Sequence, residues 1–136
     1  MRSYLKISSF VSQILLACAP YAYSENLGIG FCQIDFDELK EYIVLSDTII
    51  IDARPSVFYE LGHIPNAKNL PLIDFEVSLK KINNECDLKK YKRIVVYCTD
   101  YDCDDSTNLG RKLSIIGLAN IMIYKGGWKE WKERQK

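Results

Sequence analysis

The residues best able to do covalent chemistry are two cysteines, Cys98 and Cys103, at either end of a short polar stretch. Cys98 follows directly on the apolar run Ile94-Val95-Val96-Tyr97. The loop after it reads Thr99-Asp100-Tyr101-Asp102-Cys103-Asp104-Asp105-Ser106. A cysteine at the C-terminal end of a strand and just ahead of a helix suits a nucleophile. Loop amides and the positive end of the helix dipole can stabilise a thiolate or persulfide there. Cys103 falls where the helix should begin, so its sulfur can point at unpaired amides. It also lies close enough to Cys98 to act as a resolving thiol, attacking a persulfide or sulfenate. The plainer alternative is that each cysteine is a small packing residue.

The loop carries four carboxylates, Asp100, Asp102, Asp104 and Asp105, and no Arg or Lys. A carboxylate ~6 Å from a sulfur costs the thiolate about 0.7 kcal/mol even at bulk dielectric, roughly half a pKa unit. A helix N-terminus offsets about 0.3–1 kcal/mol of this. The balance predicts a weakly acidic Cys98 and poor reception of dianions such as thiosulfate and phosphoesters. Asp104 or Asp105 is also a cap candidate for the following helix.

Strands and helices alternate after residue 30, and this alternation must position the cysteines. Phe36, Leu39, Ile43 and Val44 recur at helical spacing, with Asp35 and Asp37 as cap candidates. Thr48 to Asp52 is a β-branched apolar run of the kind buried in parallel sheets. Pro55 opens a brief helix over Ser56 to Leu61. A short strand is expected at Lys68 to Leu70 and a helix at Ile73 to Ile82. Arg93 to Tyr97 reads as a second buried strand, and Ser106 to Ile116 as a helix closed by Gly117. Asn120 to Tyr124 and Trp128 to Glu133 complete the pattern as a strand and a helix. Such alternation implies a mainly parallel sheet with helices on both faces. Ligands of open α/β sheets bind outside the carboxyl ends of the strands, so Asp52 and Cys98 should border one crevice.

Four ordered motifs strengthen this reading: Ile49-Ile50-Ile51-Asp52-Ala53-Arg54, Gly62-His63-Ile64-Pro65-Asn66-Ala67, the strand ending in Cys98, and Lys125-Gly126-Gly127-Trp128-Lys129-Glu130-Trp131. Together they resemble the rhodanese-like family of sulfurtransferases and their cysteine-phosphatase relatives, over residues 30–134. The resemblance implies a rhodanese-like α/β domain with a mainly parallel five-stranded sheet, and it makes Cys98 the catalytic cysteine. It implies an Arg54–Glu60 ion pair bracing the loop and a His63 that fixes a turn. Gly126-Gly127-Trp128 permits a tight turn feeding the last helix, with Trp128 and Trp131 covering the core. Family members usually carry a basic residue in the cysteine loop, and this chain has none there. The acidic loop therefore argues against the phosphatase branch.

At 136 residues and 48% hydrophobic, the chain can bury one core. Lys+Arg and Asp+Glu number 18 each, which gives nucleic acid no electrostatic footprint. His63 is the single histidine, and no zinc-ligand spacing or cofactor motif stands out. Arg2 and Lys6 precede a mostly apolar stretch, and Ala22-Tyr23-Ser24 offers small residues where a signal peptidase reads. Residues 1–24 are thus expected to be a signal peptide, with a periplasmic or secreted product. Leu15-Leu16-Ala17-Cys18 gives a lipoprotein alternative, in which Cys18 is lipidated and the protein meets a membrane only through that anchor. Export permits disulfides, and the pairing of Cys32, Cys86, Cys98 and Cys103 stays open.

The expected chemistry is sulfur transfer. A small-molecule or protein donor places sulfane sulfur on Cys98, and an acceptor thiol or cyanide removes it. A thiol–disulfide redox module built on Cys98 and Cys103, or a non-catalytic binding domain, are the alternatives.

Overall fold

The computed structural model describes residues 30–136, so the expected signal segment and Cys18 lie outside the described residues. Five strands follow in chain order: β1 (Cys32–Ile34), β2 (Thr48–Asp52), β3 (Lys68–Asn69), β4 (Arg93–Tyr97) and β5 (Ile121–Tyr124). They form one sheet in the order β1-β5-β4-β2-β3, and every pairing is parallel. Five helices intervene: α1 (Phe36–Tyr42), α2 (Ser56–Glu60), α3 (Phe75–Glu85), α4 (Asp105–Ile115) and α5 (Gly127–Arg134). No helix among the described residues is long and apolar enough to cross a membrane.

The side-chain alternation of β2 and β4 explains why both faces are covered. Ile49, Ile51, Ile94 and Val96 pack with Phe75 and Ile82 of α3 and Leu109 and Leu113 of α4. Ile50, Val95 and Tyr97 pack on the opposite side with Phe36 and Leu39 of α1 and Trp131 of α5. Each fully buried aliphatic side chain here contributes about 1.5–3 kcal/mol, which holds the two strands rigidly side by side. Their register sets Asp52 opposite Tyr97, so the segments that leave both strands emerge at one rim of the sheet.

Local chemistry sets the element ends. Asp35 accepts the Glu38 amide while the Glu38 side chain accepts the Asp35 amide, a reciprocal cap that starts α1. Gly117 takes a φ of +93°, which stops α4. Several expected bounds shift. Val44 is 79% exposed and lies beyond α1, and Ile73 is 82% exposed and precedes α3. Their apolar spacing mimicked a helical face without being buried. β1 and a 3-10 turn at Leu88–Lys90 were not anticipated. β1 is three residues long and, among the described residues, pairs only with β5, so its sequence carries little strand signal.

Candidate active site

Cys98 is the first residue beyond β4 and is only 1% exposed. Its thiol donates to the Cys103 carbonyl at 3.0 Å and lies 3.6 Å from the Ser106 hydroxyl. Ser106 is the second residue of α4 and fully buried, so its amide is one of the unpaired donors of the helix start. Burial pushes the Cys98 thiol up to about 11, and hydrogen bonding with the Cys103 side chain adds to the rise. The hydroxyl and amide of Ser106 pull the other way and lose to burial. The expected weak acidity is therefore present with a different cause. It comes first from desolvation and then from the neighbouring cysteine, ahead of any loop carboxylate.

The loop bends back on itself. The Cys103 amide donates to the Asp100 carbonyl at 3.2 Å, and the Asp102 amide donates to an Asp100 carboxylate oxygen at 3.1 Å. This turn brings the Cys103 carbonyl to the Cys98 thiol and leaves Cys103 half-buried against the same core cluster. Thr99, Tyr101 and Asp102 face solvent, with Tyr101 62% exposed. Asp104 occupies the cap position of α4, yet its side chain makes no capping bond. Its carboxylate lies 3.5 Å from Lys125 Nζ instead. Asp105 is the first residue of α4, where an acidic side chain favours the helix dipole. Cys86, Cys98 and Cys103 are free thiols.

Lys125 is the residue at the site that sequence reasoning missed. Its ammonium group donates to the Cys103 carbonyl at 3.4 Å, the same oxygen that accepts from the Cys98 thiol. The loop has no basic residue of its own, and one arrives from the end of β5 instead. The available signal was positional. β5 pairs with β4, so the residue just past β5 must reach the rim where Cys98 sits.

The Gly126-Gly127-Trp128 turn holds the cysteine from behind. The Trp128 amide donates to the Cys98 carbonyl and the Lys129 amide to the Thr99 carbonyl, each at 2.9 Å. These are early donors of α5, satisfied by the site's own backbone. Gly127 has a φ of +64°, and a Cβ there would lie 2.6 Å from the Cys98 carbonyl oxygen. Gly127→Ala is expected to cost about 2 kcal/mol or more, from left-handed strain and this collision together. Urea unfolding checks it, and an unmoved midpoint would contradict the close approach.

A buried polar network joins the carboxyl ends of β2 and β4. Asp52 is fully buried, and Arg54 Nη2 contacts its Oδ2 at 2.6 Å while Nε lies 3.0 Å from Oδ1. The Tyr97 hydroxyl donates to Asp52 Oδ2 at 2.7 Å and accepts from the Ile64 amide at 3.1 Å. Arg54 also donates to the Gly62 carbonyl, and its guanidinium lies over the Trp128 and Tyr97 rings. The expected Arg54–Glu60 pair is thus corrected. Glu60 is exposed on α2 and makes no ion pair among the described residues, because Asp52 sits two residues from Arg54 and takes its fork. Asp52 ends β2 opposite Tyr97, and its carboxylate is taken up by Arg54 and the Tyr97 hydroxyl. His63 behaves as the resemblance implied: its Nδ1 donates to the Tyr59 carbonyl at 2.9 Å, and its ring stacks on Tyr59.

A protonated Cys98 has a measurable consequence. Alkylation by iodoacetamide is expected to rise about tenfold per pH unit from about pH 7 to about pH 10, as the thiolate fraction grows. Mass mapping of the Cys98 peptide reads it, and a plateau by about pH 8 would contradict a buried thiol. The folded chain also holds this proton more tightly than the unfolded one. Stability should therefore fall as pH rises from the ordinary 9.0 through about 11.

Comparison with known proteins agrees with this geometry. A family model described as the rhodanese-like domain matches residues 35–134. The chain is 34% identical over 103 residues to a tRNA uridine(34) hydroxylase of Buchnera aphidicola, covering 75% of this chain and 30% of that one. It is 32% identical over 93 residues to an adenylyltransferase and sulfurtransferase of Saccharomyces cerevisiae, covering 65% and 21%. The chain spans less than a third of the length of these curated relatives. A human single-domain sulfurtransferase shares the fold, with a TM-score of 0.65 and 18% identity over 79% of this chain and 100% of that one.

Proposed function

The chain belongs to the rhodanese-like domain family, and from that premise we propose that it is a sulfurtransferase in which Cys98 carries sulfane sulfur as a persulfide. One observation carries this reading: the Cys98 sulfur lies at the end of β4, against the hydroxyl and amide at the start of α4. An anionic outer sulfur formed there gains the helix dipole and those donors, which offset its charge. Lys125 adds a cation on the neighbouring carbonyl, 3.4 Å from the oxygen. The donor is a small molecule or a protein, and the acceptor is a thiol. In the first step the Cys98 thiolate attacks the donor's sulfane sulfur and expels the rest of the donor with its electron pair.

A single-turnover experiment tests the proposal. The reduced protein is offered thiosulfate in excess, because the carboxylates of the loop disfavour a dianion, and separately glutathione persulfide. About one sulfite per chain from thiosulfate, in a single burst, is the expected result. No sulfur uptake from either donor would instead support a non-catalytic binding domain.

We further propose that the domain works outside the cytoplasm, on the strength of Arg2, Lys6 and Ala22-Tyr23-Ser24. N-terminal sequencing of protein from its native host should begin near Glu25. A start at lipidated Cys18 would favour the anchored form, and retention of Met1 would end the proposal.

A further inference from the structure

A persulfide on Cys98 would form on a residue that is 1% exposed, inside a loop that carries a second thiol. Cys103 is already there. The Cys98 sulfur lies 3.0 Å from the Cys103 carbonyl oxygen, and the Asp100–Cys103 turn closes the loop so that the two cysteine side chains interact. Cys103 is itself only half-buried, so it is the more accessible of the two thiols.

We propose that Cys103 is the resolving thiol of this site: it attacks the Cys98 persulfide, the carried sulfur leaves as hydrosulfide, and Cys98 and Cys103 close into a disulfide. This rests on the reading of Cys98 as the sulfur carrier. The Cys103 sulfur bonds to the Cys98 sulfur as the bond between Cys98 and the sulfane sulfur breaks. The electron pair of that bond leaves with the sulfane sulfur, which takes the Cys103 proton. Each cysteine sulfur is oxidised by one electron and the sulfane sulfur is reduced by two, so the persulfide is the oxidant. A dithiol reductant returns both cysteines to thiols by attacking the more exposed Cys103 sulfur.

Two features favour the step. The attack is intramolecular, across a loop that a turn has already closed, so little orientation remains to be lost. Lys125 lies 3.4 Å from the Cys103 carbonyl oxygen, so a cation stands at the rim from which the anionic hydrosulfide departs. The product class follows from the same geometry. The released sulfur is hydrosulfide, and the overall demand is for a dithiol rather than a monothiol partner.

Thiosulfate brings no thiol with it, so it separates loading from resolution. Wild-type protein and the Cys103→Ser and Cys103→Ala variants are incubated with thiosulfate, and sulfite, hydrosulfide and intact mass are followed. The wild type should release hydrosulfide in step with sulfite and end two hydrogens lighter. Both variants should release sulfite, retain one added sulfur atom and yield no hydrosulfide until a thiol is supplied. A wild type that keeps the added sulfur as the variants do would overturn the resolving role and leave the persulfide reading standing. Hydrosulfide released equally by the variants would also overturn it. Sulfite from none of the three proteins, together with no sulfur uptake from glutathione persulfide, would overturn both readings together.

Discussion

Cys98→Ser is expected to lower sulfur uptake by at least about a thousandfold, because it removes the nucleophile itself. A serine hydroxyl cannot hold sulfane sulfur, and no neighbouring base stands ready to activate it among the groups that Cys98 touches, the Cys103 carbonyl and the Ser106 hydroxyl. The fold should survive. Serine is slightly smaller than cysteine, keeps a donor for the Cys103 carbonyl and fits the same closed space. The unfolding midpoint measured beside the activity separates loss of chemistry from loss of structure. Uptake that persists in Cys98→Ser and vanishes in Cys103→Ser would exchange the roles of the two thiols.

The largest effect on stability should come from Asp52→Ala. That change strips a side chain with no exposed surface, leaving the Arg54 guanidinium and the Tyr97 hydroxyl buried without their carboxylate. Breaking such a pair from one side costs about 3–5 kcal/mol, since the surviving charge stays desolvated. Against a domain stability of about 5–15 kcal/mol, this is enough to unfold much of the population in mild urea. Glu60→Ala is the matching control and should leave the midpoint unmoved. Equal losses from the two substitutions would restore the Arg54–Glu60 pairing that the sequence resemblance implied.

Much of this architecture was legible because the decisive segments are strongly patterned. Thr48–Asp52 and Arg93–Tyr97 are apolar, β-branched and bounded by polar residues, and both strands end as expected. α4 starts one residue earlier and ends one residue earlier than expected, since Gly117 marks its end through a conformation few other residues tolerate. β1 was silent because three residues at a sheet edge draw their strand character from β5, far along the chain. The cysteine loop was legible for the same local reason as the strand before it. Lys125 was not, because its role depends on which strand lies beside β4. Arg54 shows a related limit: a motif gives residue identities, while side-chain direction decides between Asp52 and Glu60.

The central claim is that sulfane sulfur resides on Cys98. Fragmentation mass spectrometry of Cys103→Ser protein, loaded from thiosulfate and digested without reductant, tests it most directly. One added sulfur atom on the peptide containing Cys98, and none on the peptide containing Cys86, is the expected result. An added sulfur on Cys86, or on no cysteine despite sulfite release, would contradict it.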